Sequence, residues 1–71
     1  MRFVYDQKGK EVKIYLNTSY GIEVYVGHIN GVVSYDIEDS FEDEKYLTLW
    51  NENDELIASF EDSIEIEEEK E

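Results

Sequence analysis

Apolar positions recur at every second residue along most of the chain. Val12, Ile14 and Leu16 alternate with Lys13 and Tyr15, and Ile22, Val24 and Val26 alternate with Glu23 and Tyr25. Such β-branched and aromatic residues suit a pleated sheet, in which successive side chains point to opposite faces. The polar run Asn17-Thr18-Ser19-Tyr20-Gly21 joins the two segments and predicts an antiparallel hairpin. Asn30-Gly31 predicts a second tight turn, because both residues tolerate positive φ. Val33, Tyr35 and Ile37 then alternate with Ser34, Asp36 and Glu38. Alternation resumes at Tyr46–Trp50, with Leu47 and Leu49 opposed to Tyr46, Thr48 and Trp50. A turn at Asn51–Asp54 follows, then Leu56, Ala58 and Phe60 in phase, and a short last strand around Ile64 and Ile66. Arg2–Tyr5 reads as a further edge strand, closed by a turn at Asp6–Gly9. Residues 38–45 break the pattern. They predict a loop or one short helical turn, with Ser40 as its cap and Phe41 folded back over the core. Nowhere do eleven consecutive residues carry the three- and four-residue apolar spacing of a surface helix.

Five or six short antiparallel strands in residues 1–67, with no repeat or linker, predict one small all-β domain: a five- or six-stranded barrel or strongly curved sheet. Closure would protect the sheet edges. An open sheet of three to five strands with one helix across it is the alternative. Residues 68–71 are expected as a frayed acidic tail. The expected core is Val12, Ile14, Leu16, Ile22, Val24, Val26, Leu47, Leu49, Leu56, Ala58 and Phe60. A lysine-flanked first strand, a glycine after the second, an Asn-Gly turn and an isoleucine-centred last strand resemble the general plan of SH3-like or Sm-like barrels. The resemblance is architectural and carries no binding residues with it.

Charge changes the picture more than any motif. The 71 residues hold six basic and nineteen acidic side chains, for a net charge of −13. Residues 1–35 contribute four bases and three acids, whereas residues 36–71 contribute two bases and sixteen acids. Binding to a phosphate backbone relies on cations that displace counterions, so nucleic acid and anionic membrane are poor direct ligands. A basic protein surface is a good one. The same carboxylates serve equally to keep a small protein soluble. With no cysteine, disulfides, thiolate metal sites and thiol nucleophiles are excluded. No apolar stretch of signal-peptide or membrane-spanning length occurs, which leads to the expectation of a cytoplasmic location. Asn17-Thr18-Ser19 matches a glycosylation sequon and is read as a turn.

The candidate binding residues follow from the strand phases. If the apolar set lines the core, Tyr15, Tyr25 and Trp50 point outwards with Tyr35 nearby. Such rings are common interface anchors, and they also form cross-strand pairs that only stabilise a sheet. Asp36, Glu38, Asp39, Glu42, Asp43, Glu44, Glu52, Asp54, Glu65 and Glu67 supply the acidic face. Carboxylates spaced along a rigid sheet present negative charge much as a phosphate backbone does. The expected function is therefore an acidic protein-interaction module that inhibits or modulates a basic, nucleic-acid-binding partner by charge mimicry. Accessory proteins of phages or mobile elements are a plausible source for such a domain. The first alternative is a structural or self-assembling barrel, in which an edge such as residues 22–29 or 64–67 pairs with a second copy as a weak homo-oligomer.

Calcium binding is the second alternative, because Asn51, Asn53 and Glu55 alternate as in an ion loop. Yet Leu56 stands where an EF-hand needs glycine, and no metal site is assigned. Catalysis has little to stand on. His28 is the single histidine, the serines lie in no nucleophile elbow, and Gly9, Gly21, Gly27 and Gly31 form no phosphate-cradling loop. No catalytic residue and no cofactor are assigned.

Overall fold

The computed structural model of the protein describes residues 1–69. Seven strands follow in chain order: β1 (Arg2–Asp6), β2 (Glu11–Asn17), β3 (Glu23–Asn30), β4 (Ser34–Asp39), β5 (Lys45–Trp50), β6 (Leu56–Asp62) and β7 (Glu65–Glu68). They form two sheets, a four-stranded sheet A in the order β3-β2-β1-β7 and a three-stranded sheet B in the order β4-β5-β6. No helix occurs among the described residues, so none is present to cross a membrane. The small all-β fold is as expected, but the sheets do not close into a barrel.

The reason lies at two places where the chain changes sheets. Asn30-Gly31 does not close a hairpin, since β3 and β4 are not neighbours. Gly31, at φ 79°, turns the chain across the core instead. The Val32 amide then donates to Lys10 O, in the turn just before β2, at 2.9 Å, and the next amide, Val33, donates to Trp50 O in sheet B at 2.9 Å. After β6 the buried Ile64 brings the chain back to sheet A. There β7 lies parallel to β1, with Phe3 opposite Ile66. The first strand is therefore an inner strand of sheet A, not an edge, and the sheet is not wholly antiparallel.

Alternation sets what lies between the sheets. Phe3 and Tyr5 of β1, Val12 of β2, Leu47 and Leu49 of β5, and Val32 and Ile64 of the two crossings are buried together. Ile14, Ile29, Tyr35, Phe60 and Ile66 pack around them. Phe3 and Phe60 meet across the layers with ring centroids 5.1 Å apart. The Tyr5 hydroxyl donates to Val33 O at 2.8 Å and to Val32 O at 3.2 Å, which fixes the first crossing from inside the core. Burial raises the Tyr5 phenol above its ordinary pKa, with the Glu68 and Asp6 charges adding to the effect.

Other expected core residues lie at the surface: Leu16, Ile22, Val24, Val26 and Leu56 are all exposed. Residues 38–45 form no helical turn. β4 continues to Asp39, and a tight turn closed by Ser40 N to Glu44 O at 3.0 Å leads directly into β5. The C-terminal boundary also shifts. Glu68 belongs to β7 and the Glu69 amide donates to Tyr5 O at 2.8 Å, so the ladder runs past residue 67. Residues 70–71 of the expected tail lie outside the described residues.

Candidate functional site

Sheet B has one face on the core and one face to solvent. Register places Ser34 beside Trp50, Asp36 beside Thr48 and Ser59, and Glu38 beside Tyr46 and Glu61 on the outer side. Leu47 and Leu49 fill the inner side, so the phase of the outer residues is fixed by core packing. At one end the β4–β5 turn carries Glu42, Asp43 and Glu44, together with Asp39, Glu61 and Asp62 at the strand ends. At the other end the β5–β6 turn carries Glu52 and Asp54.

Each turn is built by its sequence. The Asn51 side-chain oxygen accepts the amides of Asn53 at 2.9 Å and Glu55 at 3.0 Å, and Asp54 adopts φ 59° to close the loop. The alternation that suggested a calcium loop is thus the capping of a hairpin, with Asn51 Oδ1 occupied by backbone. Among the described residues no three or more His, Asp or Glu side chains gather as a metal site. In the β4–β5 turn Glu42 holds φ 59°, and Phe41 is 78% exposed rather than folded over the core. The Ser40 hydroxyl donates to Glu61 Oε2 at 2.5 Å, tying this turn to β6. Lys45 is ion-paired with Asp39. That hydrogen bond, with the lysine charge behind it, holds the Asp39 carboxyl below its usual range.

Ser34, Asp36, Trp50 and Asp54 line a shallow, open depression on the outer face. The Trp50 indole N–H donates to Asp36 Oδ2 at 3.0 Å, which fixes the ring between two strands. The Trp50 ring and the Asp36 and Asp54 carboxylates thus border one depression.

Eight of the ten expected acidic residues therefore belong to sheet B and its turns. Glu65 and Glu67 do not: they lie on β7, on the outer side of sheet A. The aromatic anchors also separate. Trp50 alone stands on the outer face of sheet B. Tyr35 faces the core, packs edge-on against Tyr5 with centroids 5.5 Å apart, and donates its hydroxyl to Glu68 at 3.2 Å. Burial first, and that hydrogen bond second, raise its phenol pKa.

Tyr15 and Tyr25 stack edge-on at 5.5 Å on the outer face of sheet A, the far side of the molecule from Trp50. There they join a network in which the Arg2 guanidinium lies 4.7 Å from the Tyr15 ring centroid. Arg2 also bonds both oxygens of Glu23, at 2.6 and 2.7 Å, and Glu67. These bonds raise the arginine pKa and lower that of Glu23. The Tyr25 hydroxyl shares a 2.7 Å hydrogen bond with His28 Nδ1. Tyr15 and Tyr25 thus act as a cross-strand pair within a laced surface.

Strand phase alone does not reveal the Trp50–Asp36 clamp or the contact of Glu61 with Ser40. Both follow once β4, β5 and β6 are paired in register, since Asp36 then lies diagonal to Trp50 and Glu61 opposite Tyr46. No family model, curated protein or solved structure matches the chain.

Proposed function

We propose that this protein is an acidic interaction module that binds a basic, nucleic-acid-binding protein through the outer face and turns of sheet B. One observation carries the reading: residues 34–62, which form the three strands and two turns of this sheet, hold eleven carboxylates and a single lysine. Short turns and a packed core hold these charges in fixed rows. Fixed carboxylates steer a cationic cleft into place and compete there with phosphates. The depression at Trp50 supports the same reading, because it offers a seat for one lysine or arginine of the partner. The role is binding rather than catalysis. Its setting is the cytoplasm, and modulation of a host protein by a phage or mobile-element accessory fits it.

The test is capture from the native lysate at low and moderate salt, with duplex DNA and RNA as competitors. The expected result is a stoichiometric basic protein that either nucleic acid displaces and that raised salt weakens. The folded variant D36N/E38Q/D43N/E44Q is expected to lose at least ~10-fold in affinity for it, as several screened ion pairs are removed together. Unchanged binding by that variant overturns the reading.

A further inference from the structure

The largest departure from an ordinary small-domain surface is the far end of the β2–β3 hairpin. Leu16 is 41% exposed, Ile22 61%, Val24 44% and Val26 51%. Leu16 pairs directly with Val24, and both lie on the side of sheet A that faces the core. Here that side runs beyond the reach of the three-stranded sheet B, and none of the described residues covers it. The four side chains expose on the order of a few hundred Å² of contiguous apolar surface, the scale at which a patch marks a contact site.

β3 is also an open sheet edge. Among the described residues there are four such edges, β3 and β7 in sheet A and β4 and β6 in sheet B. Native edges are commonly guarded by charge. β7 reads Glu-Ile-Glu-Glu, β4 carries Asp36, Glu38 and Asp39, and β6 ends in Glu61-Asp62. Two copies meeting antiparallel at β4 or β7 would set carboxylate against carboxylate, and β6 belongs to the strongly acidic segment 34–62. β3, at eight residues the longest strand, has one carboxylate, Glu23, and Arg2 already holds it.

We propose that the β2–β3 hairpin is a self-association surface whose occupant is a second copy of this chain, related by a two-fold axis. A chain of net charge −13 can approach its twin closely only where it lacks uncompensated charge, and this hairpin is that place. The pairing sets no uncompensated charge against its like. Glu23 and His28 stand on the same face towards opposite ends of β3, with Tyr25 between them. An antiparallel β3–β3 contact therefore places the Arg2-bound Glu23 of each copy towards the His28 end of the other, and no two bare carboxylates meet. The same contact removes part of the exposed surface of Ile22, Val24 and Val26, at the paired edge, from water. An isologous interface of this kind closes on itself as a dimer. Its apolar area is small for a permanent complex, so the dimer dissociates on dilution.

The experiment is analytical ultracentrifugation of the purified protein over a wide concentration range, at ~0.1 M and ~1 M salt. A monomer–dimer equilibrium is expected, and it is maintained or strengthened at the higher salt because net repulsion is screened while apolar burial is not. Ile22→Lys and Val26→Lys, at exposed positions, are each expected to give monomers that retain wild-type circular dichroism and Trp50 fluorescence. The sheet B variant D36N/E38Q/D43N/E44Q is expected to dimerise at least as well as the wild type, which separates this contact from the partner surface. A wild type that stays monomeric at every concentration overturns the proposal. So does a dimer that survives both lysine substitutions in folded protein.

Discussion

The β2–β3 and β4–β5 hairpins are built from similar alternating sequence and end in opposite circumstances. In β4–β5 the inner residues Leu47 and Leu49 are fully buried and the outer positions carry Asp36 and Glu38. In β2–β3 the equivalent inner residues Leu16 and Val24 face solvent, while the outer face is closed by Arg2, Glu23, Tyr15 and Tyr25. Alternation states which side of a strand is apolar. Whether that side is buried depends on how far the opposing layer extends, and sheet B is one strand narrower than sheet A.

The sharpest way to break this contrast is a matched pair of truncations. Leu47→Ala opens a cavity in the shared core and is expected to cost about 2–5 kcal/mol. Leu16→Ala in dilute protein is expected to cost under ~1 kcal/mol, as an exposed side chain does. Urea unfolding measures both, and equal costs would show that the hairpin end is covered in the monomer.

Tyr5→Phe removes the hydroxyl that holds the sheet-to-sheet crossing and leaves two carbonyls without that donor. About 1–3 kcal/mol is the expected loss. The same residue gives an alkaline signature. Because its phenol pKa is raised on folding, the unfolded chain loses this proton first. Stability is full below the unfolded value of about 10 and falls as pH rises through the folded one. Thermal unfolding across that range should show a shallower fall in Tyr5→Phe, with the slope due to Tyr35 remaining.

Asn51→Ala deprives two turn amides of their acceptor at the end of sheet B. It is expected to cost ~1 kcal/mol by denaturant titration, with Trp50 fluorescence as the probe.

The smallest effect belongs to the outer face of sheet A. Arg2→Gln is expected to lower the melting temperature slightly at neutral pH. Glu23 has a depressed pKa, so its contribution is present above the usual carboxylate range and is lost as pH falls through the folded value. The wild type and Arg2→Gln should therefore converge in acid.

The strands themselves were legible because period-two alternation survives wherever one face is apolar. β2, β5 and β6 stand where their patterns place them, whereas β3 runs on past Val26 through Gly27 and His28 to Asn30. The pairing of strands was less accessible. Asn30-Gly31 has the chemistry of a hairpin turn, and the crossing between sheets follows from successive amides finding different acceptors, Val32 N–H on Lys10 O and Val33 N–H on Trp50 O. The acidic face was legible as charge but not as geometry. Glu65 and Glu67 share its composition and belong to another sheet. Tyr35 has the residue type of an anchor, yet its phase on β4 points it at Tyr5. Leu16 and Val24 carry no local mark to distinguish them from Leu47 and Leu49.

The parallel contact between β1 and β7 bears on how fast this molecule assembles. The β1–β2–β3 meander and the β4–β5–β6 meander each close through short turns, which form quickly. The rung that joins Phe3 to Ile66 spans nearly the whole chain, and its closure entropy is met only when β7 arrives. Refolding is expected on the millisecond-to-second scale of proteins dominated by non-local pairing, with β7 docking late. Substitutions in β7, such as Ile66→Ala, should then accelerate unfolding far more than they slow folding.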